Sequence, residues 1–271
     1  MTGITINNTI ILYNMVLNNI YMIPHGDELI DIPDEDSRKL SSALKKIAEN
    51  DRSDVLVILS PHGVNLSKNI AVVNTEYFKA DTQLKNTYLD FKAHNERKLT
   101  EDIIKSTLDT TEELRFITYS GDISVFPLDF GSSIPLSFFK QRNIVLIGQS
   151  RINDRDKLVN FGKSLYQTVQ AYNKKVSIII SADQAHTHSD KGPYGYSQNA
   201  EKYEYTVKHC FETGSFEDLY KIEQEIIDTG KPDSFWNLMV MYGILQASGK
   251  KMHLDYHYVE IYFGMMLAHS I

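Results

Sequence analysis

The chain has 271 residues, and its 42% apolar content is enough to bury the core of an α/β unit. Lys and Arg total 28 against 35 Asp and Glu; the net charge of −7 leaves no basic surplus for a phosphate backbone and disfavours a nucleic-acid role. The lone cysteine, Cys210, excludes an intramolecular disulfide and a zinc ribbon, and it points to a reducing, cytoplasmic compartment.

The early apolar stretch 4–23 is interrupted by Asn7, Asn8, Asn14, Asn18 and Asn19, so it is not a membrane span. No basic segment precedes it as a signal peptide would require. Residues 1–14 read as an N-terminal extension, and 15–271 as one domain. Asn19 to Ile23 is a short buried strand stopped by Pro24-His25-Gly26. Leu40, Ala43, Leu44, Ile47 and Ala48 recur at helical spacing and predict a helix over 36–50. Asp54 to Ser60 is a continuous apolar run of strand length that again runs into Pro-His-Gly, here Pro61, His62 and Gly63. Strands are expected at 70–73, 114–119 and 143–148, then a helix with Leu158, Phe161, Leu165 and Val169 on one face. Lys175 to Ser181 is a further buried strand leading to Asp183 and His186. Helices are expected near 198–213, 216–228 and 233–248, and an alternating strand at 252–262 closes the chain. Continuous apolar strands separated by helices imply a sheet covered on both faces.

Three apolar strands thus end in loops carrying His25, His62 and His186. In open α/β sheets ligands bind beyond the carboxyl ends of the strands, so three imidazoles delivered there point to a metal. Two His and a carboxylate suit non-haem Fe(II), whereas three His and a water suit Zn(II); spacing alone does not separate them. The carboxylate candidates are Asp27, Glu28, Asp183 and Asp228. Asp228 sits at a helix end where the dipole disfavours an anion, which gives it a reason to face a cation. His188 is a weaker catalytic candidate, two residues beyond His186. Tyr194 and Tyr196 belong to an aromatic loop able to wall a pocket. His253, Asp255 and His257 share a strand face by period two and read as a polar strand face, and Cys210 reads as packing. No phosphate-binding glycine loop, His-Glu-x-x-His or Gly-x-Ser-x-Gly motif occurs.

Five segments in order, Ile23-Pro-His-Gly26, Ser60-Pro-His-Gly63, Pro127 to Leu136, Ser181-Ala-Asp-Gln-Ala-His186 and Tyr258 to Gly264, resemble the class III, LigB-type extradiol dioxygenases and their relatives, the MEMO proteins. The resemblance implies a three-layer α/β/α fold with a mixed central sheet. It implies Fe(II) held by His25, His62 and a late carboxylate matched to Asp228, with Zn(II) as the alternative metal. His186 is then the acid/base, with Tyr194 and His188 beside it. The family's frequent Asp-His-Gly reads Asp129-Phe130-Gly131 here. The implied function is cleavage of a catechol-like ring by O2, the partners being a small aromatic diol and O2, with a homo-oligomer as the candidate assembly. The alternatives are a MEMO-like binding protein with little or no dioxygenase activity and a zinc hydrolase using the same histidines.

Overall fold

Residues 16–117 and 124–271 are described by a computed structural model, in which eleven strands join one mixed sheet. β1 (Leu17–Ile23) leads through the short α1 (Glu28–Asp31) to α2 (Glu35–Asn50) and β2 (Val55–Ser60). β3 (Ile70–Asn74), β4 (Tyr77–Gln83) and β5 (Tyr88–Asn95) come next, then α3 (Arg97–Ser106), β6 (Thr111–Arg115), β7 (Val125–Leu128) and α4 (Phe130–Ser137). β8 (Asn143–Gly148), α5 (Arg155–Gln170) and β9 (Val176–Ser181) complete the middle of the chain. α6 (Asn199–Thr213), α7 (Gln224–Gly230) and α8 (Phe235–Ser248) precede the closing hairpin of β10 (Met252–Glu260) and β11 (Phe263–Ser270).

The strand order is β10-β11-β1-β9-β2-β8-β5-β4-β7, with β3 and β6 branching from β8. β1, β9, β2 and β8 run parallel at its centre. Their side chains are mostly apolar because both faces are covered. Val55, Val57 and Leu59 enter the core under α3, α5, α6 and α8, while Leu56 and Ile58 enter the opposite core with Leu40 and Leu44 of α2 and Ile134 of α4. This alternation yields the expected three-layer α/β/α architecture.

The helix expected at 36–50 is α2, started by a capping box in which Asp34 accepts from the Ser37 amide. The strand expected at 252–262 is instead β10 followed by a turn, and β11 returns antiparallel to lie between β10 and β1. β11 is buried on both sides, so its run Phe263–Ser270 lacks the alternation of an outer strand. A register shift between Leu254 and Tyr256 breaks the period in β10. His253 and His257 therefore point to opposite faces, the former against His269 and the latter to Glu204 of α6. The helix expected over 216–228 divides into a 3-10 turn, Phe216–Lys221, and α7. The strand expected at 114–119 is β6, which begins at Thr111, and residues 118 and 119 lie outside the described residues, as does the extension at 1–14.

Candidate functional site

Parallel pairing brings the histidine loops together. Ile23 of β1 is in register with Ser181 of β9, and Leu59 of β2 with Ile180, so the chain leaves all three strands at one edge. Two residues beyond Ile23, Ser60 and Ser181 stand His25, His62 and Asp183. His25 is buried, and its Nε2 lies 3.1 Å from His62 Nε2, 3.1 Å from Asp233 Oδ2 and 3.4 Å from Asp183 Oδ2. His62 Nε2 is 3.4 Å from the same Asp233 oxygen. The Ser181 hydroxyl donates to the Gly131 carbonyl at 2.6 Å, so at 2.9 Å from His25 Nδ1 it accepts that nitrogen's proton. Neutral His25 therefore turns a lone pair at Nε2 toward His62 and Asp233. Burial by itself would lower the His25 pKa, but Asp183, Asp233 and Asp129 outweigh it and raise the value to about 9. A proton or a metal ion is needed between two imidazole nitrogens and two buried carboxylates at these distances, so the donor set fits a divalent cation.

The carboxylate brought to the imidazoles is Asp233, in the turn between α7 and α8. The ligand atoms of His25, His62 and Asp233 lie within 4.8 Å of one another, as do those of Asp183, His186 and Asp233. The Asp183 amide donates to Asp233 Oδ1 at 2.9 Å, and Gln149 Nε2 donates to the Asp233 carbonyl. Burial favours the neutral acid, yet His25 and His62 hold Asp233 well below the usual carboxylate range. Burial and the neighbouring Asp233 outweigh His25 and raise Asp183 instead. Asp228, expected as the third donor, is exposed near the end of α7 and accepts from Gln224 Nε2 at 2.8 Å, one helical turn away. Sequence reasoning missed Asp233, because Lys231-Pro232-Asp233-Ser234 ahead of an apolar helix has the form of an ordinary N-terminal cap.

His186 Nδ1 is 3.0 Å from the Lys231 carbonyl, and its amide donates to Gly230. With Nδ1–H engaged, Nε2 is left toward the site. Lys231 itself is left-handed at φ 55°, which lets the chain stop α7 and turn back with its carbonyl over the histidine. His62 is supported from below by the segment starting at Asp129: Ser60 Oγ donates to Asp129 Oδ1 at 2.7 Å, and Asp129 also caps α4 by accepting from the Ser132 amide. Gly131 is required there, since a Cβ would stand 2.8 Å from Ser60 Oγ and 3.0 Å from the His62 ring. Phe130 covers the opposite side, its ring 4.1 Å from that of His62.

A cavity of about 460 Å³ opens over His25, His62, Asp183 and His186, walled by Phe130, Tyr194, Tyr262 and Phe263. Phe263 stacks on His186 at 5.5 Å, and Tyr194 meets it edge-on at 6.1 Å. A smaller hollow of about 230 Å³ adjoins it, holding Arg151, Asp228, Lys231 and Asp233. Tyr196 is exposed and lines neither space. His188 is turned away: its amide donates to the Tyr262 carbonyl, and its Nε2 lies 3.5 Å from Glu204, a buried carboxylate that also binds His257. Cys210 is buried in α6, where burial pushes its thiol up to about 12, as befits packing. No helix among the described residues is long and apolar enough to cross a membrane.

A Clostridium acetobutylicum protein, Protein CA_C1420, is 25% identical over 93% of this chain, which spans only 56% of that protein's length. The crystal structure of uncharacterized protein JW3007 from Escherichia coli K12 shares the fold, with a TM-score of 0.65 at 13% identity over 93% of this chain and 98% of that one. The sequence profile described as the catalytic LigB subunit of aromatic ring-opening dioxygenase matches residues 19–268, from β1 through β11. That span takes in both Pro-His-Gly loops, the Asp129 segment and the strap that carries Asp233, and the chain belongs to the LigB family.

Proposed function

We propose that this protein is a metal-dependent extradiol dioxygenase that opens a catechol-like ring with O2, its metal held by His25, His62 and Asp233. The observation carrying this reading is the convergence of two imidazole nitrogens 3.1 Å apart on one buried carboxylate oxygen, at the floor of an aromatic-walled cavity. Fe(II) is the metal that suits two His and one carboxylate, and when bound it would supply the Lewis acidity that acidifies catechol hydroxyls and a path for electrons from the ring to O2. Ser181 and Lys231 fix the tautomers of His25 and His186, so each Nε2 faces the reacting space. His186 Nε2 takes one catechol proton and returns it as the ring opens. Asp183, whose pKa is raised, lies behind this pair and holds the His25 amide at 2.9 Å. Phe130 and Phe263 hold the ring between the imidazoles and exclude water, while Tyr194 closes the rim.

The test is oxygen uptake. Protein loaded anaerobically with Fe(II), then given catechol and air, should consume about one O2 per ring opened, with new near-visible absorbance from the product. Full iron occupancy with no uptake across neutral, amine-bearing and carboxylated catechols would reject ring cleavage. It would favour a binding protein of the same fold, a reading that Phe130 supports because it places an apolar ring where the family commonly offers an imidazole.

A further inference from the structure

We infer that the cavity selects a catechol whose side chain carries an ammonium rather than a carboxylate, with Glu28 as the specificity-determining residue; this rests on the ring-cleavage site proposed above. The charged side chains among the described residues lining the cavity, besides the histidines, are Asp27, Glu28 and Asp183, and neither Lys nor Arg lines it. Asp183 is committed to the His25 amide at 2.9 Å. Asp27 and Glu28 remain for the substituent of a bound ring. Glu28 folds back over Gly26, next to His25, so closely that a Cβ on that glycine would stand 2.5 Å from Glu28 Oε2. This oxygen is buried and has no hydrogen-bond partner. An unmade hydrogen bond of this kind is costly, and more so for a charged group. Burial, followed by Asp27 and Glu260, raises the Glu28 carboxyl to about 8, which shows how short of positive charge its surroundings are.

A substrate side-chain carboxylate placed here, away from the metal that the ring oxygens would occupy, would be desolvated beside Asp27 and Glu28 with neither Lys nor Arg to meet it. An ammonium would favour the ionised form of Glu28, which is otherwise short of positive charge, donate to it, and lie against the aromatic faces of Tyr262 and Phe263, where cations are attracted. The nearest lining cations, Arg151 and Lys231, belong to the smaller hollow beyond His62 and His186. Arg151 is engaged there, its guanidinium 5.1 Å from the Trp236 ring and its Nε donating to Gln149. A ring bearing a side chain fits the larger cavity, whose volume is in the range of small-molecule sites, better than that hollow.

Three ring-matched probes separate the outcomes: 2-(3,4-dihydroxyphenyl)ethylamine, 4-ethylcatechol and 3-(3,4-dihydroxyphenyl)propionate. Anaerobic calorimetry on Fe(II)-loaded protein should show the amine binding about tenfold or more tighter than 4-ethylcatechol, and the propionate about tenfold or more weaker. In Glu28→Gln the amine should lose about tenfold relative to 4-ethylcatechol on the same variant. A purely structural role would instead weaken all three probes in parallel, and that result overturns the inference. Propionate binding as tightly as the amine, through Arg151 and Lys231, overturns it too, as does failure of all three to bind. Oxygen uptake is scored separately with all three probes. Binding in the expected order with no uptake from any of them would reject ring cleavage and leave the specificity of Glu28 standing.

Discussion

Asp233 and Asp228 stand five positions apart, yet only one of them reaches the imidazoles. Asp228→Asn should leave Fe(II) affinity within about twofold of wild type, whereas Asp233→Asn should lower it by about 100-fold or more, roughly 2.8 kcal/mol. Anaerobic metal titration of both variants checks this, and equal losses would return Asp228 to the site. His186→Phe should retain iron and lose about 10²–10⁴-fold in turnover, the usual worth of a general acid–base group. Loss of iron in that variant would instead make His186 a ligand, a role its position within 4.8 Å of Asp183 and Asp233 makes chemically available. The histidines were legible in the chain because Pro and Gly punctuate the strand ends that carry them. The partner carboxylate was not, because nothing local distinguishes the Asp of a Lys-Pro-Asp turn from a helix cap.

α5 and α8 cross so closely that each needs a glycine at the contact. A Cβ on Gly243 would run into the Val159 carbonyl, and one on Gly162 into that of Val240. Gly243→Ala should therefore destabilise the protein by about 1–3 kcal/mol, despite alanine's better helix propensity. An unchanged urea midpoint would show that the two helices can part at no cost. α6 and β10 are joined by a different device, Glu204 between His188 and His257. Burial favours the neutral acid, but these histidines outweigh it and hold Glu204 below the usual carboxylate range. A carboxyl whose folded pKa is depressed stabilises above its unfolded pKa of about 4.3, and that contribution is lost as pH falls through the folded value. Glu204→Gln should cost about 3–5 kcal/mol at neutral pH, because it strands a buried partner, and the deficit should shrink on acidification. Denaturation curves at neutral and acid pH test both signs. The amphipathic period of α2 predicted that helix, and the unbroken apolar runs predicted β2, β8 and β9. β4 and β5 escaped sequence reading, since as a hairpin far from the sheet centre they alternate weakly and carry charged residues. The shift in β10 was also hidden, as one unpaired residue reverses the faces without changing composition.

For the molecule as a whole, a cation at the proposed site would tie the loops after β1 and β2 to the α7–α8 turn, so metal should raise the melting temperature. Free Fe(II) at about 100 times its dissociation constant contributes roughly 2.7 kcal/mol. At about 2–4 °C per kcal/mol for a domain of this size, the gain is some 5–10 °C. Asp233→Asn should lose this response, and a chelator should reverse it in the wild type; a melting point indifferent to metal would place the cation away from the core strands. The α/β class, the sheet covered on both faces and the edge where the proposed site gathers were readable from residue order, since apolar runs, helical spacing and Pro-His-Gly stops act over a few neighbouring residues. The proposed third donor, the turning of His188 toward buried Glu204 and the acid-lined cavity came only with the folded chain. Each depends on contacts between distant segments: the amide that aims Asp233 belongs to Asp183, fifty residues earlier, and sequence spacing carries no record of that direction.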